Sequence, residues 1–171
     1  MARRNRHMVA LLYLDLDAFK PINDKLGHAV GDGLLQEVAD RLRGCMRDID
    51  TVCRQGGDEF VILLAEIRAS EDACSVAEKL LVVLGKPYHV QGHVLRITLS
   101  IGISLYPNDA DDVDTLMHNA DMAMYHTKRN GRNEHQCFAA EMNTLPVQCR
   151  RIGPDQRQLS AYSKVIALSV P

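Results

Sequence analysis

Thr51-Val-Cys-Arg-Gln-Gly-Gly-Asp-Glu-Phe-Val-Ile-Leu-Leu64 places two short apolar runs, Thr51 to Arg54 and Phe60 to Leu64, on either side of Gln55-Gly-Gly-Asp-Glu59. Two glycines between such runs predict a β-hairpin. Upstream, Met8 to Leu16 reads as a strand that is apolar on both faces until Asp15 and Asp17 appear. Pro21 suits the first turn of a helix. Gly27-His-Ala-Val-Gly31 interrupts that pattern, and Asp32 is expected to open a second helix. Leu34, Leu35, Val38, Ala39, Leu42 and Met46 recur along it at helical spacing.

Downstream of the hairpin, Ser70 is the expected N-cap of a helix striped by Ala73, Val76, Ala77, Leu80, Leu81 and Leu84 and ended by Gly85. Pro87 to Val90 and His93 to Leu105 predict a second hairpin around Gln91-Gly92. Along the later strand Leu95, Ile97, Leu99, Ile101 and Ile103 alternate with Thr98, Ser100, Gly102 and Ser104. Asp111 or Asp112 is expected to cap a helix carrying Val113, Leu116, Met117, Ala120, Ala123 and Met124, which Gly131 ends. A short strand near His135 to Phe138 follows. Hairpins mixed with helices predict an α+β fold in which helices cover a largely antiparallel sheet. From Thr144 onward the periodicity dissolves, so residues 144–171 read as a tail or linker.

The chain has 171 residues, enough for one domain with a sizeable core. Twenty Lys and Arg against 22 Asp and Glu leave a formal net charge of −2. No global basic field exists, which argues against binding a nucleic acid polymer. The first apolar run, Met8 to Leu14, is far short of a membrane span, and Asp15 and Asp17 end it too early for a signal peptide. Five cysteines without C-x-x-C spacing argue against a disulfide framework or zinc site and fit a reducing cytoplasm.

Four clusters carry chemistry. Strand alternation puts Asp15 and Asp17 on one face. Carboxylates at the end of a buried strand are costly without a cation or donors, and a hard divalent metal with oxygen ligands is one answer. A solvated turn is the other. An EF-hand loop is excluded, because Lys20 stands where the glycine belongs and Leu26 where the bidentate glutamate belongs. Gly56-Gly57-Asp58-Glu59 offers close backbone approach and two more carboxylates, although it also suits an ordinary turn. Lys128-Arg-Asn-Gly-Arg132 suits a helix C-terminus and, equally, a phosphate clamp. Arg47-Asp-Ile-Asp50 reads alone as a solvated loop with a surface ion pair. Together these parts suit metal-assisted nucleotidyl or phosphoryl transfer.

Arg54-Gln-Gly-Gly-Asp-Glu-Phe60 resembles the signature of the GGDEF family of diguanylate cyclases. Four further blocks support the resemblance in the family's order: Asp15 to Asp24, Gly27 to Asp32, Ser100 to Ser104, and Ala120 to Tyr125 with Lys128 and Gly131-Arg-Asn133. The resemblance implies a palm-like sheet, similar to nucleotide cyclases and ferredoxin-like folds. It implies a domain over residues 1–143, and condensation of two GTP into cyclic di-GMP with release of pyrophosphate, by a homodimer using Mg2+ or Mn2+. By the same resemblance Asp15, Asp58 and the Leu16 carbonyl hold the metal, and Glu59 supports the metal or the activation of the 3′-hydroxyl. Asn23 and Asp32 read guanine; Lys20, Lys128 and Arg132 contact phosphates; Gly56 and Gly57 let the nucleotide lie against the backbone. Arg47 and Asp50 match the R-x-x-D site where product inhibits. Asp17 receives no ligand role.

Family members usually carry a D-x-L-T-G-L-x-N-R segment and a helix before the first strand. In this sequence only Ala2-Arg-Arg-Asn-Arg-His7 stands there, so that helix is expected to be missing from this chain. The wording Ala120-Asp-Met-Ala-Met-Tyr125 and Phe138-Ala-Ala-Glu-Met142 resembles composite proteins in which an EAL phosphodiesterase domain follows. The full-length protein is accordingly expected to carry an EAL or sensor domain and to be cytoplasmic, with any membrane anchor in segments outside this chain. The alternative reading is a module that binds GTP or cyclic di-GMP without turnover and regulates an adjacent EAL domain. A purely structural or dimerising role fits the carboxylates less well.

Overall fold

The computed structural model describes residues 8–144; the reading of 144–171 as a tail or linker lies outside the described residues but for Thr144. β1 (Met8–Asp17) is buried along nearly its whole length and occupies the middle of a five-stranded sheet. The strands are β2 (Thr51–Gly56), β3 (Glu59–Ile67), β6 (Thr98–Tyr106) and β7 (His135–Cys137), in the order β2-β3-β1-β6-β7. All pairings are antiparallel except β6–β7. β1, β2, β3 and β6 with the helices between them form the split β-α-β arrangement of ferredoxin-like folds. A separate hairpin joins β4 (Tyr88–Val90) to β5 (His93–Leu95). The α+β, palm-like fold expected from the sequence is present.

Helices cover both faces. α1 (Phe19–Leu26), α2 (His28–Cys45) and α3 (Ser70–Leu84) pack on the face of Leu12, Leu14, Ile62, Leu64, Ile101 and Ile103. α4 (Val113–Arg129) covers the opposite face through Leu116, Met117, Ala120 and Met124, against Val9, Leu11, Tyr13, Val61 and Leu63. Double coverage explains why β1 reads as a continuous apolar run instead of an alternating one. Asp15 and Asp17 share the α4 face with Tyr13, as the period of two dictates.

Glycine decides how closely α4 sits. A Cβ on Gly102 of β6 would stand 2.0 Å from the Ala120 carbonyl oxygen and 2.2 Å from the Met124 nitrogen. Ser104 Oγ donates to the Leu116 carbonyl at 2.6 Å, and Thr127 Oγ1 donates to the Ile101 carbonyl at 3.2 Å. Gly102 and Ser104, opposite the apolar stripe of β6, thus seat α4.

Three local expectations are corrected. α2 starts at His28, so His28 to Gly31 is helical and Asp32 lies inside the helix. Only Gly27, at φ 89°, makes the break. Ser70 is the first residue of α3 and Ala69 its N-cap. The Asp72 carboxylate accepts from the Arg68 and Ala69 backbone N–H groups at 2.8 and 3.2 Å, doing the work assigned to Ser70. The alternating run from His93 to Leu105 is two strands. It breaks at Arg96-Ile97, where the chain passes from the β4–β5 hairpin to the central sheet. Asp112 caps α4, accepting from Thr115 N–H at 2.8 Å.

Candidate active site

The β2–β3 hairpin turns at Gly56-Gly57-Asp58, with Gly57 at φ 52°, a backbone region where a side chain is disfavoured. Arg54 Nε donates to the Gly57 carbonyl at 2.9 Å and braces the tip. The Leu16 N–H donates to the Asp58 carbonyl at 3.2 Å, which ties the tip to the end of β1. Register places Asp15 directly opposite Glu59 on one side and Ser100 on the other. Tyr13 Oη donates to Glu59 Oε2 at 3.1 Å. Asp15, Leu16, Asp58 and Glu59, separated by more than forty residues of sequence, therefore share one end of the sheet.

Asp15 is only 2% exposed. Lys128, in the last turn of α4, places Nζ 2.6 Å from its Oδ2. Burial pushes the Asp15 carboxyl up to about 6 from an ordinary 3.8; the Lys128 contact opposes the rise, and the charges of Asp58 and Glu59 add to it. Asp17 has a different set of neighbours. Its Oδ1 accepts from Ser100 Oγ at 2.8 Å, and its Oδ2 accepts from Thr98 Oγ1 at 2.8 Å and from Asn133 N–H at 3.2 Å. Asp17 thus pins the loop after α4 to β6.

A hard cation suits this donor set. Among the described residues no cluster of three or more His, Cys, Asp or Glu side chains is placed to hold a metal ion by itself. Mg2+ characteristically takes one or two carboxylates and completes its shell with water and substrate phosphates. A buried, charge-crowded Asp15 with Asp58 and Glu59 beside it fits that mode.

The other nominated residues lie on α1, on α2 and just beyond α4. Ala18 at φ 58° turns the chain from β1 into α1, so the exposed Lys20 lies within one helical turn of the strand end. The Asn23 side chain lies against Gly31. A Cβ there would stand 1.7 Å from Asn23 Oδ1, and that oxygen is buried without a hydrogen-bond partner among the described residues. Asp32 is exposed and lines a groove of about 470 Å³ between α2 and the hairpin, with Leu35, Arg54 and Phe60 among its walls. Arg132 is exposed at φ 64°, just beyond α4.

Arg47 and Asp50 lie at the far end of β2 from the tip, roughly 20 Å away at strand rise. Arg47 Nε and Nη2 donate to the two Asp50 oxygens at 3.0 and 2.8 Å, and Nη2 also donates to the Ala65 carbonyl at 2.7 Å. The Ala65 N–H donates to Asp50 Oδ1 at 3.3 Å. The loop is a closed, bidentate pair anchored on β3, more ordered than the solvated loop read from those four residues alone.

Sequence reading passed over Tyr13 and Arg54 as members of the site. The signals were present: Tyr13 precedes Asp15 by one strand period, and Arg54 stands three residues from Gly57 at a predicted hairpin tip. Thr98, Ser100 and Asn133, which hold Asp17, carry no such local signal.

The family model described as "Diguanylate cyclase, GGDEF domain" matches residues 1–134. The chain is 46% identical over 157 residues to the bifunctional diguanylate cyclase/cyclic di-GMP phosphodiesterase MucR of Pseudomonas aeruginosa, covering 92% of this chain and 23% of MucR. It is 43% identical over 143 residues to the diguanylate cyclase TpbB of the same organism, covering 83% of this chain and 32% of TpbB. The chain therefore spans about a quarter to a third of the length of these relatives. The solved GGDEF domain of TpbB superimposes with a TM-score of 0.79 at 42% identity, over 81% of each chain. The GGDEF domain of DgcB from Caulobacter crescentus, solved in complex with c-di-GMP, gives a TM-score of 0.70 at 27% identity, over 77% of this chain and 78% of that one. With the signature hairpin, the carboxylate-bearing β1 and the palm-like sheet all in place, the chain belongs to the GGDEF family of diguanylate cyclase domains.

Proposed function

We propose that residues 1–143 form a diguanylate cyclase domain that joins two GTP into cyclic di-GMP, with 144–171 as its tail or linker. The observation that carries this reading is the juxtaposition of buried Asp15 with Glu59, Asp58 and Lys128 at one end of the sheet. The 3′-hydroxyl of one GTP attacks the α-phosphorus of the other, and pyrophosphate leaves; the same step repeated in reverse orientation closes the ring. Asp15, Asp58 and the Leu16 carbonyl would hold Mg2+ or Mn2+, which when bound supplies charge stabilisation at the reacting phosphates. Glu59 accepts the hydroxyl proton or steadies the metal ligands. Lys20, Lys128 and Arg132 neutralise the β- and γ-phosphates, favouring the leaving group.

Asn23 and Asp32 read the guanine edge. Support comes from the unsatisfied, buried Asn23 Oδ1 and from Asp32 at the mouth of the groove. Gly56 and Gly57 keep the hairpin tip bare, with open space where each Cβ would stand. Arg47 and Asp50 form a product-binding inhibitory site remote from the tip. Likeness to the DgcB domain, which was solved in complex with c-di-GMP, supports a cyclic dinucleotide as the ligand. By likeness to MucR, the full protein carries a phosphodiesterase domain of the EAL kind as a covalent partner. None of the described helices is long and apolar enough to cross a membrane.

Incubating the chain with GTP and Mg2+ or Mn2+ and analysing products by mass spectrometry tests the reading. Cyclic di-GMP and pyrophosphate are expected from the wild type and neither from Asp58→Asn. Tight GTP or cyclic di-GMP binding with no product in either chain would establish instead the non-turnover module that regulates a neighbouring domain.

A further inference from the structure

Lys128 makes a contact that phosphate binding does not explain. Its ammonium is 2.6 Å from Asp15 Oδ2, the carboxylate that the proposed metal needs, and the two side chains are 22% and 3% exposed. A lysine serving phosphates alone would have reason to extend towards solvent, where its hydration is undiminished.

The surroundings explain the inward pose. Asp58 and Glu59 both act on Asp15 electrostatically, so the end of β1 concentrates negative charge in a buried place. A cation is needed there to make the charged carboxylate tolerable. Lys128 is that cation in the nucleotide-free chain. Its backbone is fixed: Thr127 Oγ1, one residue earlier, is tied to the Ile101 and Ala123 carbonyls at 3.2 and 3.1 Å. The ammonium is not fixed, because it rides a four-carbon stem with three rotatable donors. Lysine can therefore exchange one anionic oxygen for another without moving α4.

Resting on the cyclase reading, we propose that Lys128 occupies the metal-binding carboxylate Asp15 until nucleotide arrives, so that the divalent cation binds with the triphosphate and poorly before it. A bare cation must displace the ammonium or share Asp15 with it, against like-charge repulsion. A cation arriving with GTP brings phosphate oxygens that offer Lys128 a new anionic partner and complete the metal's shell. By linkage, nucleotide strengthens metal binding and metal strengthens nucleotide binding by the same factor.

The test measures Mn2+ binding to the full chain by electron paramagnetic resonance of the free ion, with and without a non-hydrolysable GTP analogue. Without nucleotide, Lys128→Met is expected to bind Mn2+ about fivefold or more tightly than wild type, and Lys128→Arg to stay near wild type. With the analogue present the order reverses, wild type binding the Mn2+–nucleotide pair more tightly than Lys128→Met. Adding Asp15→Asn to Lys128→Met is expected to abolish the gain. Lys128→Gln carries the same expectations should Lys128→Met fail to give a cooperative melt. Equal or weaker bare-Mn2+ affinity in folded Lys128→Met or Lys128→Gln, with nucleotide binding by wild type intact, overturns the inference and leaves the cyclase reading standing. Failure of wild type to bind the GTP analogue with Mn2+ overturns both.

Discussion

Asp15 and Asp17 sit two residues apart on one strand face, yet they meet different neighbours. Asp17 has three donors and is a structural carboxylate. Asp15 has burial and nearby carboxylates raising its proton affinity, with Lys128 opposing. In the metal-free chain the folded value near 6 exceeds the ordinary 3.8. The protonated group's contribution to stability is therefore complete below the lower value and lost as pH rises through the upper one, a difference of about 3 kcal/mol at most. Asp15→Asn, neutral throughout, is expected to melt above wild type at pH 8 in chelator and level with it at pH 4, while losing turnover. Thermal scans at the two pH values check the sign. Asn23 and Asp32, proposed to read the guanine edge, are expected to act on selectivity. A wrong base orphans polar groups at about 1–3 kcal/mol each, so GTP is expected to bind at least about tenfold more tightly than ATP. Calorimetry on wild type, Asn23→Ala and Asp32→Ala should find the gap narrowed in both variants; equal affinities in wild type would remove the guanine assignment.

At the scale of elements, α4 is placed by β6 and in turn places Lys128. Gly102→Ala inserts a methyl where the Ala120 carbonyl and the Met124 nitrogen already stand. Backbone cannot yield as a side-chain tip can, so we expect a loss of about 1–3 kcal/mol in stability. Turnover should fall as well, because α4 lifts and carries Lys128 away from the phosphates it is proposed to neutralise; urea melts and product assays on the same sample read both. The β2–β3 hairpin carries separate chemistry at its two ends. At the tip, Arg54 braces Gly57; at the base, Arg47 is closed on Asp50. A guanidinium already posed for bidentate contact can open onto a phosphate or a guanine edge. Arg47→Ala is expected to weaken cyclic di-GMP affinity by about tenfold or more, the scale of a lost charge-assisted hydrogen bond. Asp50 keeps the Ala65 N–H in that variant, so the loop should hold its shape. Titration calorimetry with cyclic di-GMP measures the change, and unchanged affinity would return the pair to a purely structural role.

Considered as a whole molecule, the described residues bring one strand end, bearing Asp15, together with the Gly56-Gly57 hairpin tip. In the proposed reaction two GTP meet in line, each 3′-hydroxyl facing the other's α-phosphate, which calls for two such sites face to face. Product formation per chain is therefore expected to rise with chain concentration until dimers saturate. Mixing in excess Asp15→Asn chains should suppress wild-type activity by forming mixed pairs. Proportional dilution with no excess loss would show that single chains suffice. The double-sided cover of the sheet gathers the proposed site: α1 and α2 bring the residues nominated for guanine, the end of α4 brings Lys128, and β1 between them carries Asp15, the carboxylate proposed to hold the metal.

The sequence by itself determined the order of elements, the hairpin at Gly56-Gly57 and the shared face of Asp15 and Asp17. Each of these is local: glycine punctuation, a period of two along a strand, a period of 3.6 along a helix. Family resemblance then supplied roles that spacing could not. Tertiary structure alone decided which carboxylate is hydrogen-bonded into the framework and which is left facing Lys128, because Thr98, Ser100, Asn133 and Lys128 are all more than eighty residues away. It also decided that His93 to Leu105 is two strands, since unbroken alternation says nothing about which sheet a residue joins. The parallel seat of β7 on β6 was equally hidden in its three residues. Pattern records which face of an element is buried; the partner across that face is set by packing between segments distant in sequence.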